Sequence, residues 1–222
     1  SEELKNKLHR LALFSQDKIF FLPDAIIDIE DYKNKIKDKN LDLPFNKNKK
    51  IILAVGRLTK QKNFPLLINA VIKLSHRYNK INLLIIGNGD LKNFLINKIK
   101  PYKNIKIINW KNKLDKYYLN SDLFILPSYY EGLPNVLLDA MNYEIPIIST
   151  NCSGASDILQ NEYRGCIIPI NNQKELEKKI VFVMKNYSIA KKKIIKIKKK
   201  IHMFSDKNLI KYYELFCDIY RH

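Results

Sequence analysis

The sequence has few cysteines and no long apolar run. Its three cysteines, Cys152, Cys166 and Cys217, are widely spaced and form no Cys-x-x-Cys pair, which is typical of reduced thiols in a cytoplasmic protein. No apolar run reaches the ~18 residues of a membrane-spanning helix, and residues 1–10 are charged, without a signal-like stretch. We therefore expect a cytoplasmic protein, either in solution or held peripherally at the inner face of the membrane.

Residues that could form a metal site are also scarce. The four histidines are scattered without the spacing of metal ligands, and no Asp-x-Asp sequence is present. A lone histidine is more often a packing or surface residue than a ligand. We expect neither a metal ion nor a cofactor.

Arginine is rare, although the chain is strongly basic. There are 40 Lys and Arg residues against 22 Asp and Glu, a net charge of +18, which would ordinarily indicate nucleic acid or an anionic membrane as a partner. Nearly all of the excess is lysine, accompanied throughout by isoleucine and asparagine, as AT-rich coding would produce. Because arginine is the preferred residue for base and phosphate recognition, we favour a compositional cause and expect no nucleic-acid partner.

Short runs of Ile, Leu and Val alternate with segments of helical periodicity. Strands are predicted at 51–56, 81–87, 105–108, 122–128, 145–150 and 165–170. Helices are predicted at about 64–79, 90–100, 114–120, 134–143, 154–160 and 173–186. This order is typical of an α/β protein with a doubly wound parallel sheet. Ligands of such sheets bind at the carboxyl ends of the strands, so function is expected in the loops there.

The length of 222 residues allows one well-packed α/β domain with additional segments at its ends. We place the main domain at 50–187. Residues 1–30 predict a helix and a strand outside the main sheet, 31–49 a polar linker, and 188–222 C-terminal helices. The lysine-rich stretch 188–202 fits either a solvated helix face, which we favour, or a contact with an anionic membrane.

Two loops at the carboxyl ends of strands carry charged side chains. After the first strand, Arg57 and Lys62 precede a helix, and cations beside a helix amino terminus favour a phosphate or diphosphate. An ordinary exposed basic loop would have the same sequence. After the fourth strand, Glu131 precedes a helix and Asp139 lies one turn inside it. The two carboxylates can accept hydrogen bonds from sugar or ribose hydroxyls, or Glu131 merely caps the helix while Asp139 faces solvent.

Taken together, these loops resemble the retaining glycosyltransferases of GT-B architecture. The matching segments keep the family's order and spacing over nearly the whole chain. They are LPDAIIDIEDY (22–32), GRLTKQKN (56–63), IGNGD (86–90), LPSYYEGLPNVLLDAM (126–141), IPIIST (145–150) and MFSDKNLIKYYELF (203–216). The resemblance implies the Rossmann-like C-terminal half of a GT-B fold, the half that binds the nucleotide-sugar donor.

The activity that the resemblance implies is metal-independent transfer with retention. A hexose or N-acetylhexosamine would pass from a nucleotide-diphosphate sugar, with UDP favoured, to a glycan or lipid-linked acceptor. The family's acceptor site lies on an N-terminal domain that we expect to be missing here, so the isolated chain should be inactive or weakly active. The alternatives are a nucleotide-binding module without transfer activity and a sugar-nucleotide epimerase on the same scaffold.

The family's site residues can be carried over to matching positions of this sequence. By resemblance, Arg57 and Lys62 bind the donor diphosphate, and Glu131 lies by the donor sugar as the third catalytic residue. Asp139, where the family usually has glutamate, would hold the ribose hydroxyls. The remaining donor-binding positions are Gly56, Asn109, Trp110, Leu114, Gly132, Leu133, Pro134 and Asn135.

The chain departs from the family at further positions. Asn109 replaces a glycine, but asparagine tolerates left-handed backbone, so the turn that binds the base is expected to persist. Asp157 replaces a glutamate three residues after Gly154. Glu144 also replaces a glycine, and the sequence offers no reason for it.

Overall fold

A computed structural model describes residues 43, 45, 49–78, 80–159 and 165–198 of the chain. The predicted segment 1–30, nearly all of the linker 31–49 and the end of the C-terminal segment 188–222 lie outside these residues. The division into domains therefore stays a prediction.

The described residues form a parallel sheet of six strands. The strands are β1 (Lys50–Val55), β2 (Ile81–Ile86), β3 (Ile105–Ile108), β4 (Leu123–Leu126), β5 (Ile147–Thr150) and β6 (Cys166–Ile168). Their order across the sheet is β3-β2-β1-β4-β5-β6, and every pairing is parallel. This is the order of the doubly wound dinucleotide-binding fold, so the predicted fold class is confirmed. All six predicted strands are present, and several are shorter at their ends.

Helices follow the strands in the predicted alternation. They are α1 (Phe64–Ser75), α2 (Lys92–Ile99), α3 (Asp115–Leu119), α4 (Asn135–Asn142), α5 (Ser153–Leu159), α6 (Gln173–Lys185) and α7 (Tyr187–Lys198), with one 3-10 turn at Lys60–Lys62. The predicted first helix continued to residue 79, whereas α1 ends at Ser75. Among the described helices, none is long and apolar enough to cross a membrane.

Successive residues of the central strands face two separate hydrophobic cores. On β1, Ile51, Leu53 and Val55 pack into one core and Ile52 and Ala54 into the other. The first core contains residues of α3, α4, α5 and α7, and the second contains residues of α1, α2 and α6. The strands are therefore covered on both faces, which explains why they appear in the sequence as continuous apolar runs.

Helix α4 ends in a left-handed residue, which explains the family's glycine at position 144. Glu144 has a φ of 57°. Its N–H donates to the carbonyl of Met141 at 3.0 Å, and the N–H of Ile145 donates to that of Ala140 at 3.0 Å. These two bonds form a Schellman motif, in which glycine is the usual left-handed residue. Glu144 keeps the motif, at the steric cost that a β-carbon brings to left-handed backbone.

Candidate functional site

The candidate site lies where the strand order reverses, between β1 and β4. The chain leaves β1 toward one side of the sheet and β4 toward the other, so the following loops diverge and leave a crevice at the carboxyl edge. The loop after β1 carries Arg57 and Lys62, and the loop after β4 carries Glu131. The fold thus brings together residues that are about 70 positions apart, as the separation of 69 between Lys62 and Glu131 shows.

Lys62 and Glu131 form a mostly buried ion pair across this crevice. Nζ of Lys62 lies 2.6 Å from Oε1 of Glu131, and the two side chains are only 11% and 7% exposed. The hydroxyl of Ser128, a fully buried residue, donates to the same carboxylate oxygen at 2.5 Å. A carboxylate held by two donors has a fixed position. Glu131 therefore contacts the opposite loop rather than acting only as a helix cap.

Gln61 joins the two loops beside the ion pair. Its backbone carbonyl accepts from the N–H of Tyr129 at 2.9 Å, and its side-chain amide donates to the carbonyl of Tyr130 at 2.9 Å. Arg57 is exposed, and its guanidinium donates to the Gln61 side chain at 3.4 Å. The loop after β1 is therefore fastened to the loop after β4, while the Arg57 side chain faces solvent.

Sequence reasoning missed Ser128 and Gln61 as residues of the site. Both lie inside the segments that carry the family resemblance, LPSYYEG and GRLTKQKN. Their position within these segments was the signal that could have identified them as site residues. Their hydrogen-bond partners lie on distant parts of the chain and could not be found from spacing.

Close packing at the site requires glycine at position 154 and favours it at position 56. A β-carbon on Gly154 would lie 1.7 Å from the carbonyl oxygen of Gly132, which real structures do not allow. A β-carbon on Gly56 would lie 3.2 Å from Cε of Lys62, tighter than nine in ten observed contacts. Gly154 thus lets α5 approach the loop before α4, and Gly56 leaves room for the Lys62 side chain.

Helix α4 presents its amino terminus to the same crevice. Pro134 is its N-cap residue, and the helix begins at Asn135. Four N–H groups around this terminus have no acceptor among the residues that the structure describes, those of Gly132, Leu133, Asn135 and Val136. Gly132 and Asn135 are exposed. Free N–H groups and the positive end of the helix dipole favour an anion at this point.

Asp139 lies one turn inside α4, beside a pair of stacked tyrosines. The hydroxyl of Tyr118 lies 3.5 Å from Oδ2 of Asp139. The rings of Tyr118 and Tyr143 are stacked with centroids 5.2 Å apart, and the hydroxyl of Tyr143 donates to Asp115 at 2.5 Å. Burial, and then the negative charge of Asp139, raise the pKa of Tyr118 well above its usual range. Tyr118 is therefore a neutral donor directed at the Asp139 carboxylate.

The loop after β3 carries the predicted base-binding residues. Asn109 and Trp110 are exposed, and Asn109 accepts a hydrogen bond from Nζ of Lys92 at 2.5 Å. Leu114 packs against the hydrophobic core that contains Tyr118. We expected Asn109 to exploit its tolerance of left-handed backbone, but the described non-glycine residues with positive φ are Asn63, Glu144 and Asn171. Asn63, the N-cap residue of α1, adopts left-handed backbone instead. Asn109 acts through its side chain, which accepts the hydrogen bond from Lys92.

A profile of the family described as "Glycosyl transferases group 1" matches residues 35–201. The match covers both loops of the crevice and all six strands. The chain belongs to the glycosyl transferases group 1 family. Enzymes of this family use nucleotide-sugar donors. The six-stranded parallel sheet of this chain is the Rossmann-like sheet of GT-B glycosyltransferases.

Curated relatives of this group 1 chain include enzymes of polysaccharide assembly. The amylovoran biosynthesis glycosyltransferase AmsD of Erwinia amylovora is 35% identical over 161 residues, 71% of this chain and 44% of that protein. The UDP-Gal:α-D-GlcNAc-diphosphoundecaprenol α-1,3-galactosyltransferase of Escherichia coli is 32% identical over 167 residues, 70% of this chain and 42% of that enzyme. The chain spans only 37% to 54% of the length of these two and two further curated glycosyltransferases.

Among solved structures, the fold is similar to that of the C-terminal domain of the group 1 glycosyl transferase LpcC from Francisella tularensis. The TM-score is 0.61 at 21% identity, and the match covers 69% of this chain and 84% of that domain. At this level of identity the likeness shows the fold alone. In the described part of this group 1 chain, no three His, Cys, Asp or Glu side chains are grouped so that they could hold a metal ion.

Proposed function

We propose that the chain is the donor-binding, C-terminal domain of a retaining glycosyltransferase. The enzyme transfers a hexose or an N-acetylhexosamine from a nucleotide-diphosphate sugar, without a metal ion, to a glycan or lipid-linked acceptor. An N-terminal domain supplies the acceptor site, so this chain by itself is inactive or weakly active. The chain matches 44% and 42% of two curated relatives, which supports the assignment of the acceptor site to a separate domain.

The observation that carries the proposal is the ion pair between Lys62 and Glu131 beside exposed Arg57 and the amino terminus of α4. Breakage of the bond between the sugar and the diphosphate leaves negative charge on the phosphate oxygens. Arg57, Lys62 and the N–H groups at the start of α4 are donors that neutralise this charge, and oriented donors of this kind usually make the largest contribution to catalysis. Glu131, held against Lys62, lies by the donor sugar.

The remaining predicted residues complete a nucleotide site. Asp139, with Tyr118 behind it, binds the ribose hydroxyls, since carboxylates accept hydrogen bonds from vicinal hydroxyls. Gly56, Asn109, Trp110 and Leu114 line the nucleoside side, and Gly132, Leu133, Pro134 and Asn135 line the sugar and phosphate side. UDP is the favoured nucleotide, and the Escherichia coli relative named for a UDP-Gal donor and a diphosphoundecaprenol acceptor supports that choice. We place the reaction in the cytoplasm, either in solution or at the inner face of the membrane.

Calorimetric titration of the chain with UDP and GDP tests the donor site. We expect UDP to bind more tightly, and Arg57→Ala to weaken binding about tenfold because one charge-assisted contact is lost. Lys60→Ala is the matched control, since Lys60 is an exposed lysine of the same loop. Arg57 is also exposed, so its removal leaves the fold intact. The proposal would be contradicted if the chain bound neither UDP nor GDP, or if Arg57→Ala and Lys60→Ala lost the same affinity for UDP.

A further inference from the structure

The loop after β2 is held between the loops after β1 and β3, because β2 lies between these two strands in the sheet. The N–H of Leu58 donates to the carbonyl of Asn88 at 2.8 Å, and the N–H of Leu91 donates to the carbonyl of Leu58 at 2.9 Å. A β-carbon on Gly89 would lie 2.6 Å from the carbonyl oxygen of Leu58. The start of α2 is therefore fixed against the loop after β1.

Lys92, the first residue of α2, contacts the loop on the other side, after β3. Its Nζ lies 2.5 Å from Oδ1 of Asn109. Asn109 is the first residue after β3, and it precedes Trp110, whose side chain is 47% exposed. Lys92 is half-buried and Asn109 is exposed. The contact therefore joins a fixed helix start to the loop that carries the predicted base-binding residues.

The helix itself does not favour a lysine at this position. Lys92 lies in the first turn of α2, where the positive end of the helix dipole disfavours a cation. That turn contains no acidic residue that would balance the charge. Among the described residues, the ammonium group has one hydrogen-bond partner, the side chain of Asn109. The helix thus offers no reason for a cation here, whereas the contact with Asn109 does.

The ammonium group of Lys92 fixes the orientation of the Asn109 amide. An ammonium group donates hydrogen bonds and cannot accept them, whereas an amide has one oxygen that accepts and one NH2 group that donates. The amide of Asn109 therefore turns its oxygen toward Lys92 and its NH2 group away from it. A ligand at this loop meets donors from both side chains.

We propose that Lys92, acting through Asn109, makes the donor site select a base with a carbonyl oxygen at O4, as in uracil, against a base with an amino group there, as in cytosine. The NH2 group of Asn109 donates to O4 of uracil. The 4-amino group of cytosine is itself a donor, so both groups would be left without an acceptor. Lys92 is thus a positioning residue, and Asn109 contacts the base.

The inference rests on the proposed function, since it requires a donor nucleotide with its base at the loop after β3. The exposed ring of Trp110 offers a surface on which either base stacks, because every base has a π-face. Stacking therefore does not discriminate between uracil and cytosine. Discrimination comes from the hydrogen bond to the exocyclic group of the base, which the orientation of the Asn109 amide decides.

A purely electrostatic role of Lys92 would have a different consequence. UDP and CDP carry the same diphosphate, so a lysine that only attracted its charge would contribute equally to both affinities. Its removal would then leave the ratio of the two affinities unchanged. The ratio of UDP affinity to CDP affinity therefore separates a selective role from general attraction.

Calorimetric titration of the 222-residue chain with UDP and CDP measures this ratio. We expect the native chain to bind UDP about tenfold more tightly than CDP. In Lys92→Met the amide is free to turn, so UDP affinity should fall, CDP affinity should rise, and the ratio should drop to about two. Lys92→Arg keeps a side chain that only donates, so it should retain the native ratio.

The matched control is Lys100→Met, which removes an exposed lysine at the C-cap of the same helix. It should leave both affinities unchanged. Lys92→Met should keep or raise the native Tm, because it removes a cation from the positive end of the helix dipole. A retained Tm separates lost selectivity from lost folding.

Asn109→Asp tests the residue that contacts the base. A carboxylate only accepts hydrogen bonds, so UDP loses its donor at O4 and the amino group of CDP gains an acceptor. We expect the ratio of UDP affinity to CDP affinity to fall below one. Because Asn109 is exposed, this variant should also keep the native Tm.

The inference alone would be overturned if the native chain bound both nucleotides equally, or if Lys92→Met left the native ratio unchanged. A ratio that fell as far in Lys100→Met or in Lys92→Arg as in Lys92→Met would overturn it as well. Binding of neither UDP nor CDP would overturn the proposed function and this inference together.

Discussion

Lys62 and Glu131 lie 69 positions apart in the chain, and their charged atoms are 2.6 Å apart at the crevice between β1 and β4. The pair is mostly buried, and Ser128 donates a second hydrogen bond to the same carboxylate oxygen. A buried charge without its partner is costly. The pair therefore couples the geometry of the candidate site to the stability of the sheet's carboxyl edge.

Replacement of Lys62 by alanine should destabilise the fold as well as the site. Glu131 would be mostly buried beside Ser128 without the ammonium group of Lys62, and breaking such a pair costs about 3 kcal/mol. Urea denaturation at neutral pH measures the change in the free energy of unfolding. Lys60→Ala, in the same loop and exposed, should change it by no more than about 0.5 kcal/mol. A stable Lys62→Ala variant would show that the pair contributes little to the fold.

Removal of the Ser128 hydroxyl should cost about 1 kcal/mol of the free energy of unfolding, because Glu131 loses one of its donors inside the protein. The measurement is urea denaturation of Ser128→Ala, with Ser188→Ala, an exposed serine, as the control. A double-mutant cycle makes the test specific. If the hydroxyl acts through Glu131, Ser128→Ala should cost little in a Glu131→Ala background. Equal costs in both backgrounds would assign Ser128 a packing role instead.

The strands could be predicted because strands covered on both faces are continuous apolar runs, and the helices because their apolar residues recur on one face. Runs such as Ile81–Ile86 are buried at every position. The positions of Arg57, Lys62 and Glu131 at one edge followed from the parallel order of the strands. The alternating order predicted a common edge, and the structure shows which strands are neighbours.

The contacts within the site could not be predicted, because they depend on how two loops approach each other. Gln61 bridges to Tyr129 and Tyr130 through one backbone and one side-chain hydrogen bond, which no spacing rule would find. The glycine of the family at position 144 had no apparent reason in the sequence. Its reason is the left-handed turn after α4, which becomes visible only when the helix end is located at Asn142.

Asp139 should discriminate between ribose and deoxyribose. If its carboxylate accepts hydrogen bonds from the ribose, Asp139→Asn should weaken UDP binding about tenfold. The same variant should leave the affinity for 2′,3′-dideoxyuridine diphosphate unchanged. Glu175→Gln, on α6 and outside the candidate site, is the control for the loss of one carboxylate charge. Calorimetry with the six protein–nucleotide pairs gives the result, and an equal loss of affinity for both nucleotides in Asp139→Asn would place Asp139 away from the ribose.

Replacement of Glu144 by glycine should stabilise the protein. Glu144 has a φ of 57°, and a β-carbon in left-handed backbone costs about 1 kcal/mol, which glycine avoids. The acidic side chain also lies at the carboxyl end of α4, where the helix dipole disfavours negative charge. Glu144→Ala separates these causes, because alanine removes the side-chain charge and its interactions but keeps the β-carbon. We expect the free energy of unfolding to rise by about 1 kcal/mol in Glu144→Gly and by clearly less in Glu144→Ala. A larger gain for alanine than for glycine would assign the cost to the charge instead of the backbone.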